Sequence, residues 1–164
     1  MLRLGAAVFT VIILGPASPA PVQSEADSLK GLPGVFLIVQ GLSAEVEADG
    51  LTAAAIQADV EAKLRLAGIR GLPREQAVEA GYPYVYVNVD AIRNPLLPLY
   101  AYNVRLELFQ AVQSALEPRA RFLAITWQRT RVGSVGAKNL QDVRDEIKQF
   151  VDEFVKDWFN ANPR

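Results

Sequence analysis

The sequence predicts an α+β fold: a two-layer sandwich in which a mixed sheet of four or five strands carries two helices on one face. Three observations predict it. Residues 84–89, 100–112 and 122–129 alternate between two kinds of side chain, the pattern of strands with one face in a core. Residues 52–67 and 139–161 repeat apolar side chains every three or four positions, which gives each of two helices a single apolar stripe. Residues 35–39 are continuously apolar and largely β-branched. The order β-α-β-β-β-β-α, with strands grouped between two helices, fits layers rather than alternating parallel units.

Each element has its own justification. Residues 35–39 read as a strand covered on both faces or lying centrally, ended by Gly41. Residues 45–50 form an acidic turn. Thr52 can then cap the free N–H groups of a helix while Leu51 staples onto Ile56. Ile56, Val60 and Leu64 recur every four residues, widened by Ala53 and Ala67. A left-handed Gly68 would end this helix by folding Ile69 back onto Leu64. Residues 69–72 read as a short strand stopped by Pro73. In the next strand Val85, Val87 and Val89 share one side and Tyr84 and Tyr86 the other. Arg93, Asn94 and Pro95 supply a turn. The following strand sets Tyr102, Val104, Leu106, Leu108 and Val112 against Asn103, Arg105, Glu107 and Phe109. Pro118 separates it from a strand whose Leu123, Ile125 and Trp127 share a face, so these three strands make a meander. After a glycine turn at 133–136, Asn139 caps the last helix, with Asp142 in its first turn. The mixed signs on that helix's polar side (Arg144, Lys148, Asp152, Glu153, Lys156) suit packing on a sheet rather than lying on a membrane.

The chain start reads as an address. Arg3 is followed by an apolar run over residues 4–14 that Gly15 and Pro16 break, too short for a span of about 20 residues but matching a secretory signal. Cleavage after Ala20 would leave Pro21 first. Cleavage after Ser24 is preferred, making residues 1–24 a signal peptide, 25–33 a flexible leader and 34–162 a single domain. The expected location is periplasmic or secreted. Arg3 is the only charge lost with the signal, so the remaining 140 residues carry a net charge of −2. That balance opposes nucleic-acid binding.

Composition narrows the chemistry. Among 164 residues there is no histidine and no cysteine. Thiolate nucleophiles, Ser-His relays, zinc sites built on those ligands, lipid-modified cysteine anchors and disulfides are therefore excluded, and no cofactor or metal is implied. The acidic stretch Glu45, Glu47, Asp49, Gly50 resembles half a calcium loop, but Ile56 stands where a bidentate Glu belongs.

The strings VEAKLRLAGI at 60–69, YAY at 100–102, TW at 126–127 and FVKDWFNANP at 154–163 make the chain resemble a group of short exported bacterial proteins without an assigned function. More loosely, its element order is similar to small envelope domains, the N-terminal domain of the Tol-system propeller protein and the lipopolysaccharide-transport accessory lipoprotein. That second likeness is one of topology, and a fold does not carry function. It departs from the lipoprotein in lacking a cysteine to acylate, and it implies no catalytic residues.

Two candidate sites remain. All five tyrosines fall between Tyr82 and Tyr102. If Val85, Val87 and Val89 face the helices, then Tyr84, Tyr86, Asn103, Arg105 and Phe109 form an aromatic, singly cationic open face suited to an envelope protein or a small ligand. Gly133, Ser134, Gly136 and Lys138 form a weaker candidate, an anion-binding turn before the last helix. The function expected is a non-catalytic envelope accessory or binding module. The alternatives are a hydrolase-like enzyme using Ser134 or paired carboxylates, and a structural subunit that self-associates through its sheet.

Overall fold

The computed structural model describes residues 24–163, so the candidate export signal lies outside the described residues except for Ser24. The fold is α+β. Four strands, β1 (Phe36–Val39), β2 (Tyr84–Arg93), β3 (Leu99–Gln113) and β4 (Arg121–Gly136), form one sheet in the order β1-β2-β3-β4. β1 runs parallel to β2, and β2, β3 and β4 form an antiparallel meander. Between β1 and β2 lie α1 (Ala44–Ala48), α2 (Ala53–Leu66) and α3 (Arg74–Glu79), and α4 (Gln141–Ala161) closes the chain. No helix among the described residues is long and apolar enough to cross a membrane.

The two long helices cover one face of the sheet. α2 contributes Ile56, Val60 and Leu64, and α4 contributes Val143, Ile147, Phe150, Val151 and Phe154, to a core shared with Val85, Val87, Val89, Val104, Leu106 and Leu108. The helices are also tied to each other. Arg144 donates a fork to Asp59, at 2.6 and 2.8 Å, the bidentate geometry that gives an ion pair directional strength.

Local signals act as the residues dictate. The Thr52 hydroxyl accepts from the Ala55 N–H at 3.2 Å. At the other end of α2, Gly68 is left-handed (φ 75°), its N–H donates to Arg65 O at 2.9 Å, and Ile69 N–H donates to Leu64 O at 2.9 Å. That pair of bonds is the Schellman ending.

Several expectations are corrected. The strand over 35–39 is an edge strand, neither central nor covered on both faces: Phe36 and Ile38 lie on the side of Tyr84 and Tyr86, away from the helices. Residues 69–72 add only a single bridge, Gly71 to Val35, before Pro73, which lacks an N–H, turns the chain away. The acidic stretch is helix α1, capped by the Ser43 hydroxyl. Residues 133–136 are not a turn, because β4 continues through Gly136. A 3-10 turn (Ala137–Asn139) follows, so Asn139 lies before α4 and makes no side-chain cap. α3 has little sequence signal: six residues with one buried side chain, Ala77.

The segment read as a leader is also docked. Its 3-10 turn (Ala26–Leu29) buries Leu29 completely. Asn162 donates to Leu29 O at 3.0 Å and accepts from Gly31 N–H at 2.7 Å.

The main departure is a β-bulge. Leu108 pairs with Trp127 but Phe109 pairs with Ile125, leaving Thr126 as one extra residue in β4. Trp127 is therefore 0% exposed beneath α4, while Ile125 and Leu123 emerge on the opposite face at 44% and 51%. The three do not share a face, since one inserted residue reverses strand parity. Trp127 meets Phe154 edge-on at 5.1 Å, lies under the Arg129 guanidinium at 4.4 Å, and donates its indole N–H to Asp157 at 2.9 Å.

Replacing Trp127 with Ala should destabilise the fold by about 3–5 kcal/mol in urea unfolding, whereas Leu66→Ala, at an exposed position, should stay within about 0.5 kcal/mol. Gly133→Ala should cost about 1–3 kcal/mol, because a Cβ there would stand 2.7 Å from the Tyr102 hydroxyl oxygen.

Candidate functional site

The sheet face away from the helices is a divided surface. Its register is set by β2 against β3: Tyr84 faces Phe109, Tyr86 faces Glu107, Asn88 faces Arg105 and Asp90 faces Asn103. All five residues proposed from sequence, Tyr84, Tyr86, Asn103, Arg105 and Phe109, therefore lie on this face, with Val85, Val87 and Val89 in the core behind it.

Three of them meet. The Tyr84 and Phe109 rings stack in parallel at 4.8 Å, and Tyr86 meets Phe109 edge-on at 6.3 Å. Both are favourable aromatic geometries, worth about 0.5–1.5 kcal/mol beyond burial. Arg105 belongs to a separate polar patch. It donates through Nε and Nη2 to Asn88 Oδ1 at 3.2 and 2.8 Å, and stands 3.5 Å from Asp90 and 3.7 Å from Glu107. Gln40 Oε1 completes the patch by accepting from the Tyr86 hydroxyl at 2.6 Å and from the Asn88 amide. Asn103 sits further along, accepting from the Thr130 hydroxyl at 3.2 Å.

Sequence reasoning missed Gln40, Asn88 and Glu107, of which the last two are buried. Asn88 and Glu107 had the right parity to be found beside Arg105. Gln40 required knowing that β1 pairs with β2. Sequence reasoning also missed the apolar end of the face, where Phe36, Ile38 and Leu123 surround Tyr84 together with Val78 and Tyr82. These residues line a cavity of 460 Å³. A larger cavity, 530 Å³, lies between the outer edge of β1 and α2, and of the aromatic face it touches only Phe36.

Burial raises the Tyr84 phenol above its ordinary value, with Glu107 and then Tyr86 adding to the effect. Tyr100 and Tyr102 are raised as well, first by burial and then by their hydrogen bonds to Asp49 and Glu146.

The weaker candidate does not assemble. Gly133, Ser134 and Gly136 lie along β4 opposite Tyr102, Ala101 and Leu99, and Lys138 lies in the next turn. A strand sends successive groups to opposite sides, so these residues form no concave nest. The Ser134 side chain has no hydrogen-bond partner among the described residues. Two of the three acids of the acidic stretch are paired: Asp49 accepts from the Tyr100 hydroxyl at 2.7 Å, and Arg93 stands 3.4 Å from both Asp49 and Glu45.

No family model, curated protein or solved structure matches this chain.

The raised phenols give a pH dependence. Above about pH 10 an unfolded chain releases phenolic protons that the native chain retains, so the native state binds more protons and stability falls as pH rises. The urea midpoint should be lower at pH 11 than at pH 9, and Tyr84→Phe should shrink that difference.

Proposed function

We propose that the protein is an exported, non-catalytic binding module of the bacterial envelope that receives its partner on the open sheet face. The observation that carries the reading is the make-up of that face. One side of the sheet is closed by α2 and α4, and the other presents stacked aromatics beside a fixed cation. Rigid aromatic rings next to an oriented guanidinium are the residue types concentrated in the energetic centres of interfaces. The chemistry that is missing supports the same reading, since a chain without His or Cys has few routes to a nucleophile or to a base working near neutral pH. Export rests on the sequence of residues 1–24 and on the likeness to short exported proteins.

Mass measurement of protein taken from its own cells should give a chain beginning at Glu25, and an intact Met1 on soluble protein would overturn export. Crosslinking in envelope extract should recover a partner with wild type and lose it, at least tenfold, with Tyr86→Ala/Arg105→Ala. Equal recovery would overturn this surface.

A further inference from the structure

We propose that the apolar cavity at the α3 end of the open face is a binding groove for a single-chain anionic amphiphile, a long-chain carboxylate. This deepens the binding-module reading and rests on it. The cavity holds 460 Å³, within the range of about 300–1,000 Å³ typical of small-molecule sites. Its walls are Phe36, Ile38, Val78, Tyr82, Tyr84 and Leu123, and its one charged lining residue is Arg74. Among the described residues no acid lines it, and the Arg74 guanidinium has no hydrogen-bond or ion-pair partner. Arg105, further along this face, is already met by Asn88, Asp90 and Glu107. An apolar trough with one unmatched cation is complementary to a hydrocarbon tail with one negative head.

Two features fix the orientation. The Tyr82 and Tyr84 hydroxyls have no hydrogen-bond partners among the described residues, which leaves two neutral donors for a carboxylate held at Arg74. In the other direction Val78, Tyr82 and Leu123 also line an adjoining cavity of 240 Å³, whose Arg121 and Glu79 oppose each other in charge. The tail runs that way. Tyr82 is held in the left-handed region (φ 61°), a conformation that costs a residue with a Cβ about 1–2 kcal/mol, and it is one of the three residues that line both cavities.

Calorimetric titration of the full chain with octanoate, decanoate and dodecanoate tests this. Affinity should rise about two- to fourfold per added methylene as each one leaves water. Decanoate should bind at least tenfold more tightly than 1-decanol, and Arg74→Ala should erase that difference while leaving 1-decanol unchanged. Leu123→Glu, a change at a half-exposed position, should abolish binding of all four. Absence of saturable dodecanoate binding would overturn the proposal, as would binding that Leu123→Glu or Arg74→Ala leaves untouched. Dimerisation in sedimentation that Leu123→Glu removes, without dodecanoate binding, would also overturn it and assign the groove to a second copy. If dodecanoate fails to bind while partner recovery still depends on Arg105, this inference falls and the binding-module reading stands. If dodecanoate binds while partner recovery is unaffected by the Arg105 variant, the groove stands and the surface assigned to the partner falls.

Discussion

One extra residue in one strand, Thr126, sets the relation between the two faces of the sheet. Without it, the side chains of β4 would keep a single parity from Arg121 to Gly136, and Trp127 could lie under α4 only if Leu123 and Ile125 did too. The bulge lets the same strand supply the largest core side chain, Trp127, and, four residues earlier, Leu123 as an apolar lip for the opposite face. It also releases a carbonyl from the ladder. Thr126 O accepts from the Ser28 hydroxyl at 3.2 Å, and its own hydroxyl accepts from Gln110 at 2.8 Å, so the residue that disrupts pairing becomes the anchor for the N-terminal turn. Bulges of this kind re-aim side chains at a local loss of pairing, and here both the core and the exposed groove depend on the re-aiming.

The open face therefore has two halves with different states of completion. In the polar half, Arg105, Asn88, Glu107, Gln40 and Tyr86 answer one another, and two of the five are buried to do so. Such a network is rigid because leaving any member unpaired at low dielectric is expensive. In the apolar half the rings stack, but the hydroxyls of Tyr82 and Tyr84 and the guanidinium of Arg74 go unanswered among the described residues. The completed half holds the strands in register, and the uncompleted half keeps its donors free at the α3 end.

What could be read from sequence was whatever depends on local rules. The Thr52 cap and the Gly68 ending are decided within six residues of chain. The alternation in 84–89 and in 100–108 settled which side of β2 and β3 faces the helices, and with it the placing of Tyr84, Tyr86, Asn103, Arg105 and Phe109. What could not be read depends on pairing at a distance. A bulge leaves no mark in composition, so Trp127 and Ile125 looked like neighbours on one face. The apolar run at 35–39 resembled a buried central strand because its outward residues, Phe36 and Ile38, share a cavity wall with Val78, from a helix too short and polar to announce itself, and with Tyr82 just beyond that helix. The leader over 25–33 looked unstructured because its partners, Thr126 and Asn162, lie 98 and 133 residues away.

That last corner affects the order in which the molecule can be completed. Asn162 fastens Gly31 and Leu29 across sequence separations of 131 and 133 residues, and Leu29 has its burial site only once α4 is in place. The meander closes through short loops, whereas this contact requires nearly the whole described chain to have been brought together first, the kind of closure that slows folding. The earliest residues of the domain to be synthesised are thus among the last to be fixed. Until the C-terminal helix docks, Leu29 has no cover, and the N-terminal turn is held by its bonds to Thr126 and Gln110 on the sheet.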